Sequence, residues 1–322
     1  MRQQAYAAIA KPPEVRPASK LKRLALLMWK QRMFYVMLLP ALVWYAVFRY
    51  GPMYGMLIAF KEYSLADGVW SSPWADPWFK YFRTFYESPY FAQLLTNTFL
   101  ISLYKLLFGM VPSILLAIVL SECRVLWYGR VIQTLSYLPH FLSWVIILGI
   151  STAFFSQTNG LVNRWIADAG GQAIPFMTST EWFRSILVGS DVWKDLGWGA
   201  IVYLAAISGI DPTLYEAARV DGASRLRMIW HITLPGIRSV IILLLIMKLG
   251  HVLDAGFEQV YVMYNIQVYP VADIIDTWVY RVGLQEMNFS IASAVGLFKS
   301  LIGLLLVVGS NKLAKLWGEG IW

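Results

Sequence analysis

The stretch Asp211-Pro212-Thr213-Leu214-Tyr215-Glu216-Ala217-Ala218-Arg219-Val220-Asp221-Gly222-Ala223-Ser224, continued from Arg225 to Gly236 as RLRMIWHITLPG, is the most informative part of this chain. Asp211-Pro212 reads as a helix start. An acidic side chain suits the positive end of a helix, and the N–H that proline lacks would go unpaired in a first turn anyway. Residues 212–220 then suit a short helix. Gly222 interrupts it where the chain must turn tightly, residues 223–233 suit a second short helix, and Leu234-Pro235 leads out. Two short helices at an angle form a compact knob whose surface mixes the small Ala217 and Ala218 with the charged Glu216, Arg219, Asp221, Arg225 and Arg227. Small residues let a partner approach closely and charges fix its register. Composition alone reads the same stretch as an ordinary amphipathic loop.

Apolar runs lie on both sides of it. A spanning helix needs about 20 mostly apolar residues to cross ~30 Å of hydrocarbon. Six candidates meet that length, near residues 34–55, 97–120, 132–155, 186–207, 240–257 and 291–310. Pro40, Pro52, Pro112 and Pro139 fall within them as expected kinks or interruptions, and the fourth run is the most polar. The chain is 58% hydrophobic and only 14% charged, with mean hydropathy +0.55, against about 25% charged residues in soluble domains. Water is therefore not the main solvent of its surface. The expected fold is all-α, a polytopic membrane protein with six transmembrane helices. A basic tail (1–32) precedes a membrane domain (33–310) that contains the loop 209–236, and a short tail (311–322) follows.

The formal net charge of +8 is unevenly placed. Sixteen of the 27 Lys and Arg residues lie before Phe34, in 121–131, in 209–238 and after Ser310. Six lie in the alternate loops. That bias puts both termini and the 209–236 loop on the cytoplasmic side, and it argues against a basic face for nucleic acid. The first 32 residues lack the apolar core and small-residue cleavage site of a signal peptide; an interfacial helix around Leu21–Trp29 suits them better. Cys123, the single cysteine, permits no intrachain disulfide. The aromatic-rich segment 61–96 reads as an interfacial belt or as a docking surface for a partner protein.

Ionisable groups inside spans are costly, and they usually face a cavity or one another. Lys248, His251, Asp254 and Glu258 fall within an arc of roughly 120° if the fifth span is a continuous helix turning ~100° per residue. Asp191, Lys194 and Asp195 cluster on one side of the fourth span, where the alternative is pairing among helical neighbours. Lys105 and Lys299 come from the second and sixth spans. These groups, with Trp193 and Trp198, are the candidate lining of a polar pathway.

The pattern Glu216-Ala217-Ala218, three residues, Gly222, nine residues, Ile232-Thr233-Leu234-Pro235 resembles the EAA loop of ABC importer permeases. The resemblance covers about residues 33–322 and is closest to carbohydrate permeases of the maltose-permease type. The stretch GFEQVYVMYNIQVYPVADIIDTWVYRVGLQ, Gly256 to Gln285, is similar to a branch serving complex oligosaccharides, including aldouronate and alginate fragments. It implies the type I importer permease fold in a bacterial inner membrane. It also implies that the first short helix is a coupling helix, seated in a cleft of an ATPase subunit. Glu216 would pair there with a basic residue, Gly222 would provide the bend, and Ala217, Ala218, Arg219, Asp221, Ile232, Leu234 and Pro235 would complete the coupling loop. The implied partners are a second permease subunit, two ATPase subunits that hold ATP and Mg, a solute-binding protein, the lipid membrane and an oligosaccharide substrate. Lys248, His251 and Lys105 would offer positive potential to an acidic sugar chain.

The chain has no GxxxxGK[ST] phosphate loop, HExxH or GxSxG motif, so the expectation is a subunit that is not catalytic by itself and holds no cofactor. Two rival readings remain. An ion-coupled secondary transporter would show paired repeats and broken helices in both halves. A non-transport membrane protein would show a catalytic or sensing constellation.

Overall fold

The computed structural model describes residues 28–316, 318 and 320. Most of the basic tail, and with it most of the expected interfacial helix at 21–29, lies outside the described residues. The chain divides into two units, residues 1–55 and 56–322.

In the first unit, α1 (Arg32–Tyr45) carries Pro40 and continues through a π-helical turn at Ala46–Tyr50. Its side chains are exposed and overwhelmingly apolar, which suits a helix immersed in lipid rather than water.

The second unit begins in an irregular aromatic segment. Lys61 is 5% exposed and donates to the carbonyls of Val69 and Trp70 at 2.7 and 3.0 Å, so a buried ammonium organises the loop around itself. The helices then run α2 (Lys80–Tyr86), α3 (Phe91–Ser121), α4 (Leu126–Tyr137), α5 (Trp144–Phe155), α6 (Leu161–Asp168), α7 (Phe183–Ser208), α8 (Pro212–Val220), α9 (Arg225–Met228), α10 (Arg238–Gly250), α11 (Phe257–Met263), α12 (Ile275–Tyr280) and α13 (Phe289–Leu316). Among the described residues the only β pairing is a single antiparallel bridge, Lys61 to Trp74.

Among the described residues, three continuous helices are long and apolar enough to span a membrane: Arg32–Phe60, Phe91–Ser121 and Phe289–Leu316. Two bent pairs pass together, Leu126–Phe141 with Trp144–Phe155 at 107° and Arg225–Gly236 with Arg238–Gly250 at 58°. The fourth expected span is α7, a continuous helix of 26 residues. Its apolar character is diluted by Arg184, Asp191, Lys194 and Asp195. The expected interruption at Pro139 is a sharp turn. The expected fifth span, 240–257, is cut short: α10 ends at Gly250 and a run of turns follows to Gly256. At the other end, α13 passes Ser310 without a break, with Asn311 and Ala314 only 2% and 3% exposed.

Helices α3 and α7 form the spine. The core nearest the C-terminal end of α7 joins Ala117 and Ile118 of α3 to Ala200, Tyr203 and Ile207 of α7 and to Ile237. A second core joins Ile101 of α3 to Phe183, Ile186 and Leu187 of α7 and to Val260 and Met263 of α11. The third is built without α7, from Phe85, Leu94, Ile275, Trp278, Ile291 and Val295. Thus α3 enters all three. Small residues let the helix backbones meet where lipid offers little hydrophobic drive. A Cβ placed on Gly197 of α7 would lie 2.2 Å from the Ser136 carbonyl oxygen at the end of α4, whereas one on Gly149 of α5 would meet nothing within 4 Å. Replacing Gly197 by alanine is therefore expected to lower stability by about 1–3 kcal/mol through overpacking, while Gly149→Ala leaves it unchanged or raises it. Thermal melts of the purified variants in detergent test this, and equal midpoints for the two would contradict the close contact.

Candidate functional site

The 211–236 loop folds as its residues direct. Asp211 caps α8, its Oδ1 accepting the Thr213 N–H at 2.9 Å, with Pro212 in the first turn. That hydrogen bond holds the Asp211 carboxyl below the usual carboxylate range. At the other end, the Gly222 N–H bonds to the Arg219 carbonyl at 3.1 Å and the Ala223 N–H to the Ala218 carbonyl at 2.9 Å. This is a Schellman closure, and it requires the left-handed backbone that Gly222 adopts at φ +74°. Ser224 then caps α9, and a π-helical turn over Ile229–Thr233 replaces the rest of the expected second helix.

One face of the knob is anchored. The Tyr215 hydroxyl meets Thr233 Oγ1 at 3.0 Å, and Met228, Thr233 and Ile237 are buried. Ala218, Ile232 and Leu234 are half-buried on that side. The other face is open: Glu216, Ala217, Arg219, Asp221, Gly222 and Pro235 are exposed, with Leu214 at 52% and Val220 at 88%. Glu216 and Arg219 have no ion-pair partner among the described residues. A helix offering two bare apolar side chains, two unpaired charges and a small residue can serve as a docking element for another protein surface.

The intramembrane groups are arranged differently from the expected stripe. Because α10 stops at Gly250 and the backbone turns through Ala255 at φ 47° and Gly256 at φ 80°, Lys248, His251, Asp254 and Glu258 share no common helical arc. His251 pairs with Asp254 at 3.0 Å, and Asp254 pairs with Lys299 at 2.7 Å. Lys299 also reaches Asp276 at 2.7 Å. Lys248 is exposed and unpaired among the described residues, and Glu258 is exposed in the first turn of α11.

Lys105, expected to present free positive charge, is engaged. It forms an ion pair with Asp191 at 3.0 Å, donates to the Ala255 carbonyl at 2.9 Å and bonds Gln259 Oε1, with its side chain only 10% exposed. The polar groups of α7 do not pair among themselves. Lys194 donates to the carbonyls of His140 and Leu142 at 2.6 and 2.5 Å. Asp195 pairs with His140 at 2.8 Å, and that imidazole lies flat on Trp198 with ring centres 4.4 Å apart. Trp193 lines a separate, largely apolar cavity of about 620 Å³ together with Phe154, Phe176 and Trp182.

Several groups went unseen in the sequence. Asp273, 2% exposed, accepts from Arg281 at 2.6 Å and Thr277 at 2.7 Å. Asn97 donates to the carbonyls of Pro270 and Asp273 and accepts from Arg184. The eight-residue spacing of Asp273 and Arg281, near two helical turns, was the one available signal; contacts across about 170 residues leave none.

A family model described as "binding-protein-dependent transport system inner membrane component" matches residues 109–317. The protein LplB of Bacillus subtilis strain 168 is 45% identical over 286 residues, covering 89% of each chain. The polygalacturonan/rhamnogalacturonan transport system permease protein YteP of the same organism is 45% identical over 300 residues, covering 93% of each. Among solved structures, a chain of a bacterial ABC transporter involved in the import of the acidic polysaccharide alginate matches with TM-score 0.84 and 40% identity, covering 91% of this chain and 98% of that one. A bacterial alginate ABC transporter in complex with an alginate pentasaccharide-bound periplasmic protein matches with TM-score 0.85 and 39% identity, covering 92% and 99%.

Two outcomes are expected from this geometry. Lys105→Met strands the largely covered Asp191 carboxylate and frees the Ala255 carbonyl, so it should cost about 3 kcal/mol or more, and adding Asp191→Asn should recover part of that loss; strictly additive losses in a double-mutant melt would contradict the pairing. Because the folded Asp211 pKa is depressed, its contribution to the α8 cap is present above the ordinary carboxylate range and is lost as pH falls through the folded value. The protection of the Thr213 amide, its exchange rate taken relative to the intrinsic rate at the same pH, should therefore fall at acid pH in the native protein and stay constant in Asp211→Asn, which retains a capping oxygen.

Proposed function

The chain belongs to the family of binding-protein-dependent transport system inner membrane components, multi-pass membrane subunits of ATP-driven importers, and we propose that its cargo is an oligosaccharide, specifically an acidic one. The similarity to the alginate importer chain, at 40% identity over nearly all of both chains, carries this reading; YteP, with its polygalacturonan cargo, supports the same charge. We infer that Lys248, exposed at the end of α10 and without an ion-pair partner among the described residues, is the group of this chain that meets a carboxylate. Lys105 is not, since Asp191 already neutralises it.

In this reading the chain is not catalytic by itself. A second permease subunit completes the pathway, two ATPase subunits hold ATP and Mg, and a solute-binding protein delivers the sugar from outside. The open face of α8, with Glu216, Ala217, Arg219 and Val220, sits in an ATPase cleft on the cytoplasmic side. Closure of the ATPases moves the knob, and the Tyr215–Thr233 contact passes that motion to the segment leading into α10. Access to the pathway then alternates between the two sides of the membrane. Family membership removes the non-transport rival. Broken spans, which the sequence reading tied to an ion-coupled carrier, occur here at 138–143 and 251–256 within an importer subunit, so the breaks do not by themselves identify that rival.

The test is reconstitution with the partner permease, ATPase and binding protein, with ATPase activity measured against acidic and neutral oligosaccharides. Acidic chains should stimulate and neutral ones should not. Lys248→Ala should reduce the acidic response about threefold to fivefold, the range of one exposed charge contact. Equal stimulation by neutral chains sinks the charge assignment. Substitutions Glu216→Ala and Gly222→Val should abolish co-purification of the ATPase, and retention of the ATPase by both would remove α8 as the docking element.

A further inference from the structure

Three aromatic rings meet where α11 and α12 face each other. Phe257 and Tyr261 lie nearly parallel with ring centres 5.5 Å apart, and Tyr280 contacts both, at 5.7 and 4.8 Å. The series runs on through Tyr264 to Tyr269, over which the Arg281 guanidinium sits at 4.9 Å. The helices that present these rings are firmly held. Val260 and Met263 of α11 are buried in one core, and Ile275 and Trp278 of α12 in another.

Aromatic clusters usually serve as packing, but this one is incompletely covered. Tyr261 is 37% exposed, and Phe257 and Tyr280 are half-buried. Phe257 and Tyr280 border a cavity of about 530 Å³ that Asp276 and Ser293 also line, within the range of about 300–1,000 Å³ typical of small-molecule sites. Asp276 in turn lines an adjoining cavity of about 350 Å³ with Asp254, Lys299 and Ser300. Lipid is excluded as the neighbour, because an intramembrane cluster of two carboxylates and an ammonium is tolerated only against protein or water. A π-helical turn, Arg281–Gln285, follows Tyr280 directly, a distortion often found at functional sites.

Flat apolar rings beside charged hydrogen-bonding groups, bordering a cavity, match a sugar ring, which presents a C–H face and a rim of hydroxyls. We propose that Phe257, Tyr261 and Tyr280, with Asp276 and Lys299, form a saccharide subsite that takes one ring of the cargo. The subsite rests on the oligosaccharide reading above and refines it. Asp254 and Asp276 already occupy the Lys299 ammonium, so the cluster offers hydrogen bonds to hydroxyls rather than a free cation to a sugar carboxylate. Ring recognition and charge recognition are thereby separated: the shelf reads any pyranose, and selection for acidic chains falls to Lys248.

The experiment uses the purified complex of this chain with its partner permease and ATPase. An alginate tetrasaccharide and maltotetraose are titrated in calorimetrically without the binding protein, and uptake is measured with it in proteoliposomes. Tyr261→Ala and Tyr280→Ala should raise the dissociation constant about fivefold to tenfold for both saccharides, the range of one lost ring contact. Tyr261→Phe and Tyr280→Phe should stay within about twofold, because stacking needs the ring and not the hydroxyl. Unchanged binding by the alanine variants, or no binding of either saccharide to the native complex, overturns the subsite. Loss of the partner permease from the alanine variants during purification also overturns it and makes the shelf a subunit contact. Failure of the native complex to take up any oligosaccharide overturns the cargo reading itself, and the subsite with it.

Discussion

A backbone group freed inside a membrane bundle must find its partner within the protein, because hydrocarbon supplies none. Two of the breaks among the described residues, at 138–143 and 251–256, are each met by a lysine from a spine helix. Where α4 turns into α5, Lys194 of α7 takes the carbonyls of His140 and Leu142. Where α10 turns into α11, Lys105 of α3 takes the carbonyl of Ala255 and the side chain of Gln259. Asp191 of α7 balances the second lysine. Bringing these ammonium groups out of water is expensive, and the carbonyls they satisfy offset that cost. Both lysines come from helices that pack against each other through two apolar cores.

The same arrangement determines what stays rigid and what is left available. Lys299 of α13 holds both Asp254, in the second break, and Asp276, on α12. Asn97 and Thr98 of α3 hold the 270–275 segment through Pro270, Asp273 and Ile275. The region after α10 is therefore irregular in backbone yet densely tied. At the opposite end of α7, α8 is attached through Tyr215 and Thr233, and the buried Ile237 belongs to the same core as Tyr203 and Ile207. A displacement of α8 thus bears on the end of α7 and the start of α10 together. That placement suits an element which transmits motion while its outer face stays free.

The features legible in the sequence were local ones. Asp211-Pro212 and Gly222 marked both ends of α8, because capping and a left-handed turn depend on residues a few positions apart. Pro139 marked the first break. The fifth span misled, because its length was read through Gly250 and Gly256, the two local signals of a stop. Lys105, about 150 positions earlier, takes the Ala255 carbonyl in the turns beyond the end of α10. The charged residues were correctly seen as unusual, but their partners were not those of helical spacing. Asp191 passed over Lys194 for Lys105, and Lys194 took carbonyls rather than a carboxylate.

By itself the sequence determined that this is an all-helical membrane chain with a knob of short helices before its fifth span, since apolar run length, charge bias and capping residues act over short range. Only the tertiary structure decided which cations are spent on holding the fold and which remain free. Lys105 and Lys299 are consumed by carboxylates from distant segments, and Lys248 has no such partner among the described residues. The aromatic shelf likewise exists only because separate cores hold α11 and α12 face to face. Both outcomes depend on contacts between residues far apart in the chain, and the physical cost of an unpaired group in a membrane selects those contacts only once the helices are assembled.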